Sequence, residues 1–105
     1  MKMISSRLRN SLTRMNETGG SPIARAKLIK REMWMLRNQL EKEPKPRTPQ
    51  YIAAYLSLRE AYHAAKQILE GAYKNNPKKR QKLLGMLSLR TTITLDAVEN
   101  LNDEQ

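Results

Sequence analysis

At 105 residues, with twenty Lys and Arg against ten Asp and Glu, the chain is long enough for one modest core and carries a formal charge of +10; such a field favours nucleic acid, anionic lipid or an acidic protein as partner. The lack of cysteine excludes disulfides, a thiolate nucleophile and Cys-based zinc, and one histidine leaves little for a His-rich site. The longest charge-free runs, 50–58 and 83–89, fall far short of the roughly 18 apolar residues of a membrane span.

The charge is uneven. Residues 1–47 hold twelve basic and four acidic side chains, 75–90 hold five basic and none acidic, and 91–105 hold four acidic and none basic. The pattern predicts a single basic helical domain over 1–105 in which two positive regions flank a nearly neutral helix and an acidic end follows.

In chain order, Ile4, Leu8, Leu12 and Met15 recur at helical spacing, with Arg7, Arg9 and Arg14 off that line. Residues 1–16 therefore form a short amphipathic helix, either a member of the bundle or an arm. Its Arg and Ser content, with no acid before Glu17, also fits a mitochondrial transit peptide or a segment lying on a membrane surface. Gly19 and Gly20 end it, and Ser21 before Pro22 is a cap-plus-proline start for the next helix.

That second helix, 22–42, has a core stripe of Ala26, Ile29, Met33, Leu36 and Leu40. On its far side the only tryptophan, Trp34, sits among Lys27, Lys30, Arg31 and Arg37, a surface suited to stacking a base and facing phosphates. A plainer alternative packs Trp34 on another helix under lysine stems. Pro44, Pro46 and Pro49 then make 43–48 a stiff extended connection.

Thr48 and Pro49 repeat the start signal and launch a long third helix, expected over 49–75 with Gly71 as an internal weak point. Its uncharged arc spans roughly 140°, and Tyr51, Tyr55, Tyr62 and Tyr73 form a stripe about 40° wide at one edge. Tyrosines so placed commonly keep the ring in the core and the hydroxyl in water; stacking on unpaired bases and an oligomer interface are the alternatives.

Pro77 opens the last helix, 77–102. Alternation from Leu87 to Asp96, with Thr91, Thr92, Ile93 and Thr94, is also a strand signal. Helix is favoured because a lone strand has no partner, and because Leu83, Leu84, Leu87, Thr91, Leu95, Val98 and Leu101 share a face. Met86, Leu89 and Ile93 form a second apolar face, a candidate protein interface alongside the tyrosines. The charges of this helix oppose its dipole: Lys78, Lys79, Arg80 and Lys82 stand at the start, and Asp96, Glu99, Asp103 and Glu104 towards the end. A phosphate held at 76–82 would offset that arrangement.

Enzymatic readings are thin. Glu60 and His63 have the Glu-x-x-His spacing of di-iron bundles, with Glu32 as a conceivable bridging carboxylate, yet Glu60 and His63 lie on the polar side of their helix. There is no Gly-rich phosphate loop and no cofactor motif. The expected architecture is all-α, a small three- to four-helix bundle built on a long antiparallel hairpin. The expected function is non-enzymatic nucleic-acid binding through Lys27, Lys30, Arg31, Trp34, Arg37, Lys78, Lys79, Arg80 and Lys82, with RNA slightly favoured over DNA, in the cytoplasm or a nucleoprotein particle, or in a mitochondrion. The runner-up is a structural or adaptor subunit that binds other proteins or itself, followed by peripheral membrane binding.

Overall fold

The structure, a computed structural model, describes residues 2–19, 21–42 and 48–103, with side chains over 6–15, 19, 21–42 and 48–101. It contains four helices: α1 (Lys2–Thr18), α2 (Pro22–Lys42), α3 (Pro49–Leu69) and α4 (Pro77–Asp103). The proline-rich connection expected at 43–48 falls almost wholly outside the described residues, as do the side chains of Ile4, Asp103 and Glu104.

Three of the helices start in the same way. Ser21 Oγ accepts the N–H of Ala24 at 3.1 Å, Thr48 Oγ1 that of Tyr51 at 3.2 Å, and Asn76 Oδ1 that of Lys79 at 3.2 Å. In each case proline follows the cap, where its missing N–H leaves no bond unmade. The cap carbonyls accept the first helical bonds from Arg25, Ile52 and Arg80, each at 3.0 Å.

The short connection between α1 and α2 forces those two helices antiparallel. Tyr51 reaches Leu40 while Trp34 meets Tyr62, so α3 runs back along α2. Ser57 meets Thr94 while Glu60 meets Arg90, so α4 runs back along α3. Arg9 closes the ring by bonding Asp96 and Glu99. The result is an up-down-up-down bundle 44 × 25 × 18 Å in extent, in which α1 is a packed fourth member, not an arm.

Every residue of the expected α2 stripe is buried: Ala26, Ile29, Met33, Leu36 and Leu40. They meet Leu58, Ala61, Ala65 and Ile68 of α3, Leu87, Leu95 and Val98 of α4, and Leu8 of α1 in one cluster. Each large aliphatic chain removed from water contributes roughly 1.5–3 kcal/mol. The alanines of α3 keep its axis close to both neighbours.

The strand signal at 87–96 is overridden by helix. Thr91 Oγ1 donates to the Leu87 carbonyl at 2.7 Å, Thr92 to Ser88 at 3.1 Å, and Thr94 to Arg90 at 2.8 Å. Back-bonding one turn upstream satisfies each hydroxyl, so Thr91 and Thr94 can be buried in the bundle. Because the Thr94 proton is committed to Arg90, the 2.8 Å contact between Ser57 and Thr94 has Ser57 as donor.

The expected end of the third helix needs correcting. α3 stops at Leu69, not at residue 75, and Gly71 is its stop signal, not an internal weakness. Gly71 has φ +83°; its N–H bonds the Ile68 carbonyl at 3.1 Å and the Ala72 N–H bonds that of Gln67 at 2.9 Å, the paired bonds of a Schellman cap. Tyr73 also has positive φ, at 58°. It therefore leaves the tyrosine stripe, which keeps Tyr51, Tyr55 and Tyr62.

Candidate nucleic-acid interface

Trp34 is 48% exposed on the outer side of α2. One edge of its indole leans on Tyr62 of α3, with ring centroids 6.2 Å apart and planes at 39°. The guanidinium of Arg37 lies 5.5 Å from the Trp34 ring centre and the ammonium of Lys30 lies 6.0 Å from that of Tyr62. The row across the α2–α3 seam thus runs Arg37, Trp34, Tyr62, Lys30, a ring pair with a cation within cation–π reach at each end. The ring packs against α3 on one side, and about half of it faces water.

Two concavities flank this row. One, of 370 Å³, is lined by Met33, Trp34, Arg37, Tyr55, Leu58, Arg59, Tyr62 and His63. The other, of 480 Å³, is lined by Lys27, Lys30, Arg31, Trp34, Tyr62 and Leu69. Lys27 and Lys30 have no ion-pair partner among the described residues, while Arg31 reaches Glu32 at 3.4 Å. Arg37 donates to Glu41 at 3.2 Å, and that bond, followed by the neighbouring Tyr55, raises its pKa above the ordinary guanidinium value.

The second basic region lies at the end of the bundle where α2 begins. α2 and α4 run in the same direction, and the first turn of α2 shares a groove with α4, lined by Pro22, Arg25, Gln81, Leu84, Gly85, Leu87 and Ser88. Both N-termini, with their positive dipole ends, point the same way. Lys78, Lys79 and Lys82 are exposed and Arg80 half-buried; none has an ion-pair partner among the described residues. The Lys79 ammonium lies 5.7 Å from the ring centre of Tyr73, in the turn that follows Leu69. The cation-lined groove along α2 and α3 therefore runs towards the start of α4. One backbone donor expected there, the Lys79 N–H, is already taken by Asn76.

The remaining candidates are placed as follows. Tyr51 donates to the Leu40 carbonyl at 2.9 Å and Tyr55 to Glu41 at 3.3 Å, so both rings are committed to the end of α2. Met86, Leu89 and Ile93 are exposed by 48, 59 and 40%, and Ile52 and Leu56 of α3, which sequence reasoning did not single out, by 47 and 51%. Glu60 bonds Arg90 at 2.8 Å, and His63 stands edge-on to Tyr62, 5.9 Å away. Glu32 is buried at 1% exposure and held by Arg7 of α1. The three residues of the di-iron pattern are thus tied to separate partners. The apolar line of α1 turns inward through Leu8, and Arg7 and Arg9 are spent on ion pairs with α2 and α4. No helix among the described residues is long and apolar enough to cross a membrane. No protein-family model, curated protein or solved structure matches the chain.

Proposed function

We propose that the chain is a non-enzymatic nucleic-acid-binding protein, a small component of a nucleoprotein assembly that holds the phosphate backbone. The observation that carries the reading is the half-exposed Trp34, bracketed by Arg37 on one side and by Lys27, Lys30 and Arg31 on the other. Lys78, Lys79, Arg80 and Lys82 add to it from the end of the bundle where α2 begins. Lys27, Lys30, Lys78, Lys79, Arg80 and Lys82, which have no ion-pair partner among the described residues, release counterions when they meet phosphates, and the exposed half of the indole stacks on an unpaired base. A single strand is favoured over a duplex, because paired bases offer no face to the ring, and RNA is favoured slightly over DNA.

The test is a titration of nucleic-acid-free protein against labelled single-stranded RNA and duplex DNA, by anisotropy at two salt concentrations, with Trp34 fluorescence followed in parallel. Four to six neutralised phosphates give a log–log salt slope of about −3 to −4 on single strands, and stacking quenches Trp34 with single strands alone. Weak binding to both at low salt overturns the reading. It would put first a structural or adaptor subunit, the reading favoured by the exposed Met86, Leu89 and Ile93.

A further inference from the structure

The outer stripe of α4 is complementary to itself. With Leu89 as centre, Lys82, Gly85, Met86, Ile93 and Asp96 all fall within about 60° of it around the helix, and all are exposed. The spacing is symmetrical: Gly85 and Ile93 stand four residues either side of Leu89, and Lys82 and Asp96 stand seven either side. If two such helices cross antiparallel at Leu89, the residue n places before the centre faces the one n places after it. Lys82 then meets Asp96 of the partner subunit, Ile93 enters the gap left by the partner's Gly85, and Leu89 packs on the partner's Leu89.

We propose that α4 pairs with α4 of a second copy of this chain in an antiparallel two-fold dimer centred on Leu89. Charge selects this occupant and this direction. The start of α4 is basic and its later half acidic, so a parallel pair would set like charges side by side, while the antiparallel pair places opposite charges together at both ends. The same arrangement answers the adverse placement of these charges on the α4 dipole. Asp96 keeps 61% exposure although it bonds Arg9, and Arg9 also holds Glu99 at 2.8 Å, so Asp96 is open to a second cation.

Gly85 adds to the case. A Cβ built there meets nothing within 4 Å, so the protomer gives no packing reason for a residue that weakens a helix interior; a close-approaching partner does. On one flank of the stripe, Arg90 is tied to Glu60 of α3, and Leu56 and Ile52, earlier on that helix, are exposed as well. Lys82 then serves the dimer, leaving Lys78, Lys79 and Arg80 for phosphates. The inference does not depend on nucleic-acid binding, since its test uses nucleic-acid-free protein.

Sedimentation equilibrium of the full chain should give a dimer, which Leu89→Glu converts to a monomer of unchanged helical circular dichroism. Lys82→Glu should weaken association about tenfold or more by facing Asp96 with a like charge, and the double variant Lys82→Glu with Asp96→Lys should restore it. The chain has no cysteine, so direction can be read by oxidation: Lys82→Cys mixed with Asp96→Cys should cross-link, and Lys82→Cys alone should not. A monomeric wild type, a dimer indifferent to Leu89→Glu, or efficient cross-linking of Lys82→Cys to itself would each overturn the proposal.

Discussion

Thr94→Val keeps the shape of the α4 core face and removes the one hydrogen-bond partner that Ser57 has among the described residues. Ser57 is only 9% exposed, so its hydroxyl is left dry and unpaired, which costs about 1–3 kcal/mol. Ser57→Ala is the milder change, because Thr94 still donates to the Arg90 carbonyl; the loss is one net bond, about 0.5–1 kcal/mol. The double variant removes both groups and should cost about as much as Ser57→Ala alone, leaving a coupling as large as the Thr94→Val loss itself, about 1–3 kcal/mol. Urea unfolding followed by circular dichroism reads the cycle, and each kcal/mol should move Tm by about 4–8 °C in a chain of this size. Additive losses, or a Thr94→Val variant no weaker than Ser57→Ala, would refute the donor assignment.

Gly71→Ala should cost about 1–2 kcal/mol from its positive φ alone, although the added Cβ touches nothing, and the urea midpoint reports it. Arg7→Ala should cost about 2 kcal/mol: Glu32 is left buried with only the 3.4 Å contact to Arg31, and the half-exposure of Arg7 lets water offset part of the loss. Adding Glu32→Gln to that variant should recover stability in the same assay. Replacing Lys78, Lys79 and Arg80 together by Gln should flatten the salt slope of single-strand binding by about 2, and an unchanged slope removes the start of α4 from the site.

The helix starts and the α2 core were legible in the sequence because both are encoded locally: a cap beside a proline, and a stripe every three to four residues. The end of α3 was missed because Gly71 sits within an apolar arc that continues to Tyr73. Only the pair of bonds from Gly71 and Ala72 distinguishes a glycine that stops a helix from one that interrupts it. The burial of Glu32 had a readable signal, since it lies three residues after Ile29 and four before Leu36 on the same stripe; its type argued against burial, and its partner Arg7 is 25 residues away. The cation and aromatic row across α2 and α3 was half visible. Trp34 among four cations could be read from α2, but Tyr62 joins it only through the docking of α3.

The closure of the ring by α1 has a consequence for how the bundle opens. α2, α3 and α4 each pack on the helix next to them in the chain, whereas the bond from Arg9 to Glu99 spans 90 residues. Leu8 is the only fully buried side chain that α1 contributes among its described residues. Undocking α1 breaks the Arg7 and Arg9 ion pairs and releases the longest loop, while the remaining three helices keep their shared core. The amides of α1 should exchange with solvent deuterium through a partial opening well below the free energy of global unfolding. The α3–α4 hairpin should be the last unit to give up its protons.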